Sequence, residues 1–333
     1  VKKQKWIILG AAALFAMVSL VAGCGGSTAK APAQKEIVLK AADVQPEGYP
    51  TVEGLKYMAK LLDERSHGRI KMQVYAGGQL GGEKETIEMT QMGTVAIARV
   101  NSAPMVSFAP KMGVYSMPFI FRNEDHLWKV LDGPVGKELL KDLTSANLIG
   151  LGYYDSGARS FYTKSKPINT PEDAKGLKIR VQQSKIFIDT MNALGASATP
   201  MDYGEVYSGL QTGIIDGAEN NPPSLYSSKH YEVAKYYSLD EHSMVPEVIL
   251  MSKKVWDGLS PDDQKLIAQA AFESEAYERK AWNEYTEKSL EQLKAHGVKI
   301  SKPDKEPFIK AMAPVYAQYP EYKDLISQIQ AVK

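Results

Sequence analysis

Cysteine is almost missing from this chain. Among 333 residues only Cys24 carries a thiol, which excludes an intramolecular disulfide. The five histidines, at positions 67, 126, 230, 242 and 296, show no metal-ligand spacing and no HExxH pair. A GxSxG nucleophile turn is also missing. The glycine-rich loop Gly77-Gly78-Gln79-Leu80-Gly81-Gly82 lacks both the Gly-Lys-Ser/Thr ending of a phosphate loop and the GxGxxG dinucleotide spacing, so turn formation explains it. Ser27-Thr28-Ala29-Lys30 spells SxxK, but within a polar tract that cannot hold a catalytic geometry. These gaps argue against an enzyme; no metal or cofactor is expected. His242, beside Glu241, reads as a structural hydrogen-bonding group.

Charge of one sign is lacking too. Forty Lys and Arg stand against 39 Asp and Glu, and no basic run interleaves with aromatics, so nucleic acid is not an expected partner. Past Val21 no segment is apolar enough to cross a bilayer. The first 24 residues differ: Lys2, Lys3 and Lys5 precede the apolar run Trp6 to Val21, and Val21-Ala22-Gly23-Cys24 forms a small-residue cleavage box. This predicts a lipoprotein signal peptide over 1–23 with lipid on Cys24. Residues 24–35 would then be a polar tether. Removing 1–23 takes away three lysines and leaves a formal charge of −2.

What remains is long enough for two domains. Ile37 to Val44 alternates as a strand, Thr51 is placed to cap a helix carrying Leu55, Met58 and Leu62, and Ile70 to Tyr75 alternates again. A helix beginning near Glu83 and a strand over Thr94 to Val100 continue the alternation, which indicates an α/β layer with mainly parallel strands. Leu148 to Tyr154 and Val248 to Met251 add two strands. Ser260-Pro261-Asp262-Asp263 is a strong helix start, and the helical pattern that follows runs to Gly297, beyond the usual length of a globular helix.

The chain is organised around Gly176 to Asn221. Leu177, Ile179 and Val181 alternate with Lys178, Arg180 and Gln182, which puts Arg180 and Gln182 on the face away from the apolar residues. A helix with Phe187, Met191 and Leu194 stops at Gly195. A second helix is expected from Val206, Leu210 and Ile214, followed by the polar cluster Glu219-Asn220-Asn221 ended by Pro222 and Pro223. A guanidinium fits a carboxylate edge with paired donors, which lysine cannot reproduce. The stretch therefore looks like half of a site for a small anion.

The runs LKIRVQQS and GEVYSGLQTGIIDGAENN, with the Glu-His pair after them, resemble the solute-binding proteins of tripartite ATP-independent periplasmic (TRAP) transporters, over roughly Ile37 to Phe308. The resemblance implies an α/β, two-domain periplasmic-binding-protein-like fold, with a ligand cleft between domains and a long helix spanning both. Domain I would be 36–156 plus 245–285, and domain II 157–244 plus 286–333. By the same resemblance Arg180 grips the ligand carboxylate, Arg159 reaches the same group, and Asn220 completes that site. Gln45, Glu83, Arg99 and Asn101 stand at strand ends or adjoining loops, where open α/β sheets place ligands, and would meet the hydroxyls.

Together with Asp43-Val44-Gln45-Pro46, the Tyr49-Pro50 turn and Ala98-Arg99-Val100-Asn101, these residues look most like the hexuronate-binding branch, whose ligands include glucuronate and galacturonate. Gln45 departs from it, since that branch often carries histidine there. The expected partners are a sugar acid, the integral permease subunits of a TRAP transporter, and the membrane through the lipid anchor. The protein would face the periplasm or the outer surface. Another organic acid is the alternative: a sialic acid, or a dicarboxylate if Arg99 supplies a second cation. A sensor partner of a membrane receptor or a lipid-anchored hydrolase would be a different class.

Overall fold

The computed structural model describes residues 35–333. The signal peptide, Cys24 and the tether up to residue 34 lie outside the described residues. In chain order come β1 (Ile37–Ala42), α1 (Pro50–Arg65), β2 (Ile70–Tyr75), α2 (Glu83–Met92) and β3 (Ile97–Asn101). Two 3-10 turns, α3 (Glu124–Leu131) and α4 (Pro134–Asp142) lead to β4 (Leu148–Tyr154). Next are β5 (Arg159–Thr163), β6 (Lys178–Val181), α5 (Lys185–Ala193), β7 (Ser197–Pro200), α6 (Val206–Thr212), β8 (Gly217–Asn220), α7 (Pro222–Ser227) and β9 (Tyr236–Ser243). The chain closes with β10 (Glu247–Ser252), α8 (Lys253–Asp257), α9 (Pro261–Ala295), β11 (Lys299–Ser301), α10 (Glu306–Ala311), α11 (Ala313–Ala317) and α12 (Lys323–Ala331).

These strands form two sheets. The first has the order β2-β1-β3-β10-β4; β1 pairs in parallel with β2 and β3, and β10 returns antiparallel between β3 and β4. The second, β11-β9-β5-β8-β6-β7, is mixed. The chain passes from the first sheet to the second between β4 and β5, and back between β9 and β10. Both crossings are short.

The long helix is as the sequence implies. Ser260 Oγ accepts from the Asp263 N–H at 3.2 Å, Pro261 takes the first helical position, and Asp262 and Asp263 sit in the first turn. At 1.5 Å per residue its 35 residues reach about 50 Å. Ile267, Ala270 and Ala271 pack in the core under the first sheet, Trp282 packs with Tyr49 and Val52, and Leu293 enters the core of the second sheet. One helix thus serves both cores. The C-terminal segment also reaches both sides: Tyr322 and Tyr316 donate to the carbonyls of Pro110 (2.6 Å) and Pro118 (2.8 Å), while Tyr319 donates to Asp189 on α5 at 2.5 Å.

Three local expectations are corrected. Thr51 is not the cap of α1: Pro50 already stands in the first turn after Tyr49, and the Thr51 hydroxyl donates to Asp43 Oδ2 at 2.7 Å. Ile214 is not in α6, which ends at Gly213 in a left-handed conformation (φ 77°); Ile214 is 59% exposed and Ile215 takes the core position. Pro222 and Pro223 do not end an element but open α7. Proline needs no N–H in a first helical turn, and Asn221 caps it by accepting from the Ser224 N–H at 2.8 Å. The strands β7, β9 and β11 had no clear alternation in the sequence.

Candidate functional site

The C-terminal ends of β1 and β3, the start of α2 and the start of β10 meet at one place. Strand alternation puts Arg99 and Asn101 on one side of β3. The buried Arg99 guanidinium donates through Nε to Asp43 Oδ2 at 3.0 Å and through Nη2 to Asp43 Oδ1. Its Nη1 donates to Glu247 at 2.7 Å and Glu83 at 3.3 Å. Asn101 is engaged as well: its amide donates to the Val245 carbonyl at 3.2 Å and Glu247 at 3.1 Å, and its Oδ1 accepts from the Ala103 N–H at 3.1 Å. Glu83 accepts from the Asn101 N–H at 2.8 Å through Oε1, leaving Oε2 without a partner among the described residues. Burial raises Glu83 to about 7, against the pull of Arg99.

The other wall comes from β5, β8 and β6. Arg159 donates to Glu219 through Nε at 2.6 Å and Nη2 at 2.8 Å, and through Nη1 to Asn220 Oδ1 at 2.8 Å. Behind this pair, His242 Nε2 lies 3.5 Å from Glu219 and its Nδ1 lies 2.8 Å from Asp240. Burial opposes charge on the ring, but Asp240 and Glu219 outweigh it and raise His242 to about 9. Glu219 is held down to about 2, because Arg159 and His242 together overcome its burial. Carboxylate, imidazolium, carboxylate and guanidinium therefore alternate in sign along one buried line.

Arg180 is different. It is 3% exposed, its Nε and Nη2 donate only to the Met201 carbonyl at 3.0 and 2.7 Å, and it forms no ion pair with any described residue. Burial lowers its pKa, the direction expected for a cation without a counter-ion. Gln45 Oε1 and Gln182 Oε1 are buried nearby with no partner among the described residues. A buried cation short of an anion, with two buried amide groups short of partners, is costly in an isolated fold.

All seven residues singled out from the sequence line one cavity: Gln45, Glu83, Arg99, Asn101, Arg159, Arg180 and Asn220. Their roles divide. Arg180, Gln45 and the free oxygen of Glu83 have capacity left, Arg159 and Arg99 each retain one hydrogen, on Nη1 and Nη2 respectively, and both amide hydrogens of Asn101 are taken by its neighbours. The expectation that Arg99 could meet a second ligand carboxylate is corrected, since three acids already surround it. Sequence reasoning put Gln182 on the face of Arg180 without giving it a role, and missed Tyr203 and Glu247. Gln182 was detectable two residues beyond Arg180 in the same alternation; Tyr203, whose ring lies 5.9 Å from the Arg180 guanidinium, carried no such signal.

The cavity is about 20 Å³, room for a water or two. Its polar groups come from the facing edges of two α/β sheets joined by two crossings and one long helix, and they converge on an uncompensated guanidinium. That is the build of a solute-binding protein. The chain belongs to the bacterial extracellular solute-binding protein family 7, whose pattern matches residues 41–322. It is similar to a TRAP periplasmic solute-binding protein of Xanthobacter autotrophicus solved with β-D-galacturonate, at 47% identity and TM-score 0.86, covering 89% of this chain and 100% of that one. It is likewise similar to one of Pseudomonas putida solved with D-glucuronate, at 45% identity and TM-score 0.87, covering 89% and 98%. A solute-binding protein of Chromohalobacter salexigens is 40% identical over 293 residues, 86% of this chain and 87% of that protein. No helix among the described residues is long and apolar enough to cross a membrane.

Proposed function

We propose that this protein captures a hexuronate, galacturonate or glucuronate, outside the cytoplasm and delivers it to a TRAP-type permease without transforming it. The observation that carries this is Arg180, a buried guanidinium with no acidic partner among the described residues. A ligand carboxylate supplies that charge, with Arg159 and Asn220 completing its coordination. Gln45, Gln182 and Glu83 then meet ring hydroxyls. Relatives solved with galacturonate and glucuronate support the ligand class, and the engagement of Arg99 by three carboxylates argues against a dicarboxylate.

A six-carbon acid does not fit a space for one or two waters, so loading requires the two sheets to part. The division into 36–156 plus 245–285 and 157–244 plus 286–333 gives that motion its rigid bodies. A ligand bridging both walls favours the closed arrangement by its difference in affinity for the two states. A signal peptide over 1–23 would direct export, and lipid on Cys24 would keep the mature protein at the membrane surface beside its permease.

Thermal shift tests the reading. A ligand at 100 times its dissociation constant adds about 2.7 kcal/mol. Galacturonate or glucuronate is expected to raise Tm while galactose and glucose do not. Equal shifts with the neutral hexoses would remove the carboxylate clamp, and shifts with dicarboxylates alone would overturn the uronate assignment.

A further inference from the structure

Behind the ligand cleft lies a second cavity of about 440 Å³, within the usual size of small-molecule sites. The two spaces stand back to back across one strand. Arg159 faces the cleft, whereas its neighbours Ala158 and Ser160 line the rear cavity, as strand alternation requires. The second crossing divides the same way: Glu241 and Met244 line the rear cavity and Glu247 the cleft. Trp282 and Leu290 of α9 supply another wall. The rear cavity is thus built from both crossings and the spanning helix.

Its chemistry is uneven. Leu127, Leu239, Met244, Leu290 and the Trp282 indole make it largely apolar. Of its bases, Lys305 pairs with Glu241, and the exposed Arg122 donates to the carbonyls of Gln330 (3.2 Å) and Val332 (2.5 Å) with no acid partner among the described residues. Two of its acids also lack an ion pair. Glu124 is exposed and forms no ion pair with a described residue. Asp155 accepts only neutral donors, the N–H groups of Ser156 and Gly157 at 2.8 Å and the Trp128 indole at 3.3 Å. Burial pushes Asp155 up to about 6, as expected where no cation answers it. The hydroxyl oxygen of Thr286 is buried in the same wall without a partner.

We propose that this rear cavity is a second binding site, for a small amphipathic cation with an aromatic or alkyl body and one protonated amine, coupled to the ligand cleft through the crossings. The apolar walls and indole take the body, Glu124 and Asp155 answer the charge, and Thr286 accepts an amine hydrogen. The crossings that wall the rear cavity also carry residues of both cleft walls, so a guest in it shifts the balance between the arrangements the crossings allow. By linkage the amine and the uronate change each other's affinity by the same factor. The coupling, though not the amine site itself, rests on the uronate reading above.

Phenethylammonium and its uncharged counterpart 2-phenylethanol are the probes, titrated calorimetrically into the protein. Phenethylammonium is expected to bind one to one, roughly fivefold or more tighter than the alcohol. Glu124→Gln, on the surface, should weaken it about threefold, and Leu290→Trp, which fills the cavity, should abolish it. Equal binding of amine and alcohol, or amine binding unmoved by Leu290→Trp, overturns the site. Glucuronate affinity should change about threefold or more when the amine is saturating; an unchanged value overturns the coupling. Amine binding in a protein that binds no uronate would sustain the site and sink the uronate reading instead.

Discussion

Replacing Arg180 by lysine keeps the charge and removes the fork. In the structure Nε and Nη2 are both committed to the Met201 carbonyl, and this grip aims the remaining Nη1 face at the cavity. A lysine ammonium has one compact centre, which can serve the Met201 carbonyl or a ligand carboxylate but cannot span both as the guanidinium does. A hydrogen bond to a charged group is worth about 1.5–3 kcal/mol. Retaining the charge offsets part of that, so Arg180→Lys should lose about 1.4 kcal/mol, a roughly tenfold weaker dissociation constant for glucuronate by calorimetry. Arg180→Met should lose about a hundredfold or more. Its ligand-free melting temperature should move only a few degrees, because losing the donors to Met201 is set against relief of a buried, uncompensated charge. Unchanged affinity in the lysine variant, or uronate binding retained by a folded Arg180→Met, would refute the carboxylate-clamp argument.

Glu83→Gln keeps an acceptor for the Asn101 N–H and leaves Arg99 its pairs with Asp43 and Glu247. It should fold normally by circular dichroism and bind hexuronates roughly tenfold more weakly; an unchanged dissociation constant would make Glu83 purely structural. His242, raised to about 9, binds its proton more tightly folded than unfolded. Its contribution, on the order of 3 kcal/mol, is therefore present below about pH 6.5 and lost as pH rises through 9. Urea titrations from pH 6 to 10 should show that decline, and His242→Asn should flatten it. Ser260→Ala removes the acceptor for the Asp263 N–H and should cost about 1 kcal/mol in denaturant unfolding; no change would mean α9 is held at that end by the Arg69–Asp263 ion pair alone.

The sequence by itself determined whatever depends on near neighbours. Ser260-Pro261-Asp262-Asp263 announced α9 because cap, proline and acids act within one turn. The alternation around Arg180 placed it on the polar side of its strand, since a strand's period is set by its own backbone. Family resemblance then gathered seven residues spread from Gln45 to Asn220, and the folded chain brings all of them to one cavity. Which of these side chains remain free was decided only by tertiary structure. Arg99 and Arg180 look alike in sequence, each an arginine on a short strand. Asp43 and Glu247 lie 56 and 148 residues from Arg99 and pair with it, whereas no described acid forms an ion pair with Arg180. Burial turns that difference into chemistry, because a guanidinium cut off from water and from a carboxylate of its own is stabilised by the one a ligand brings.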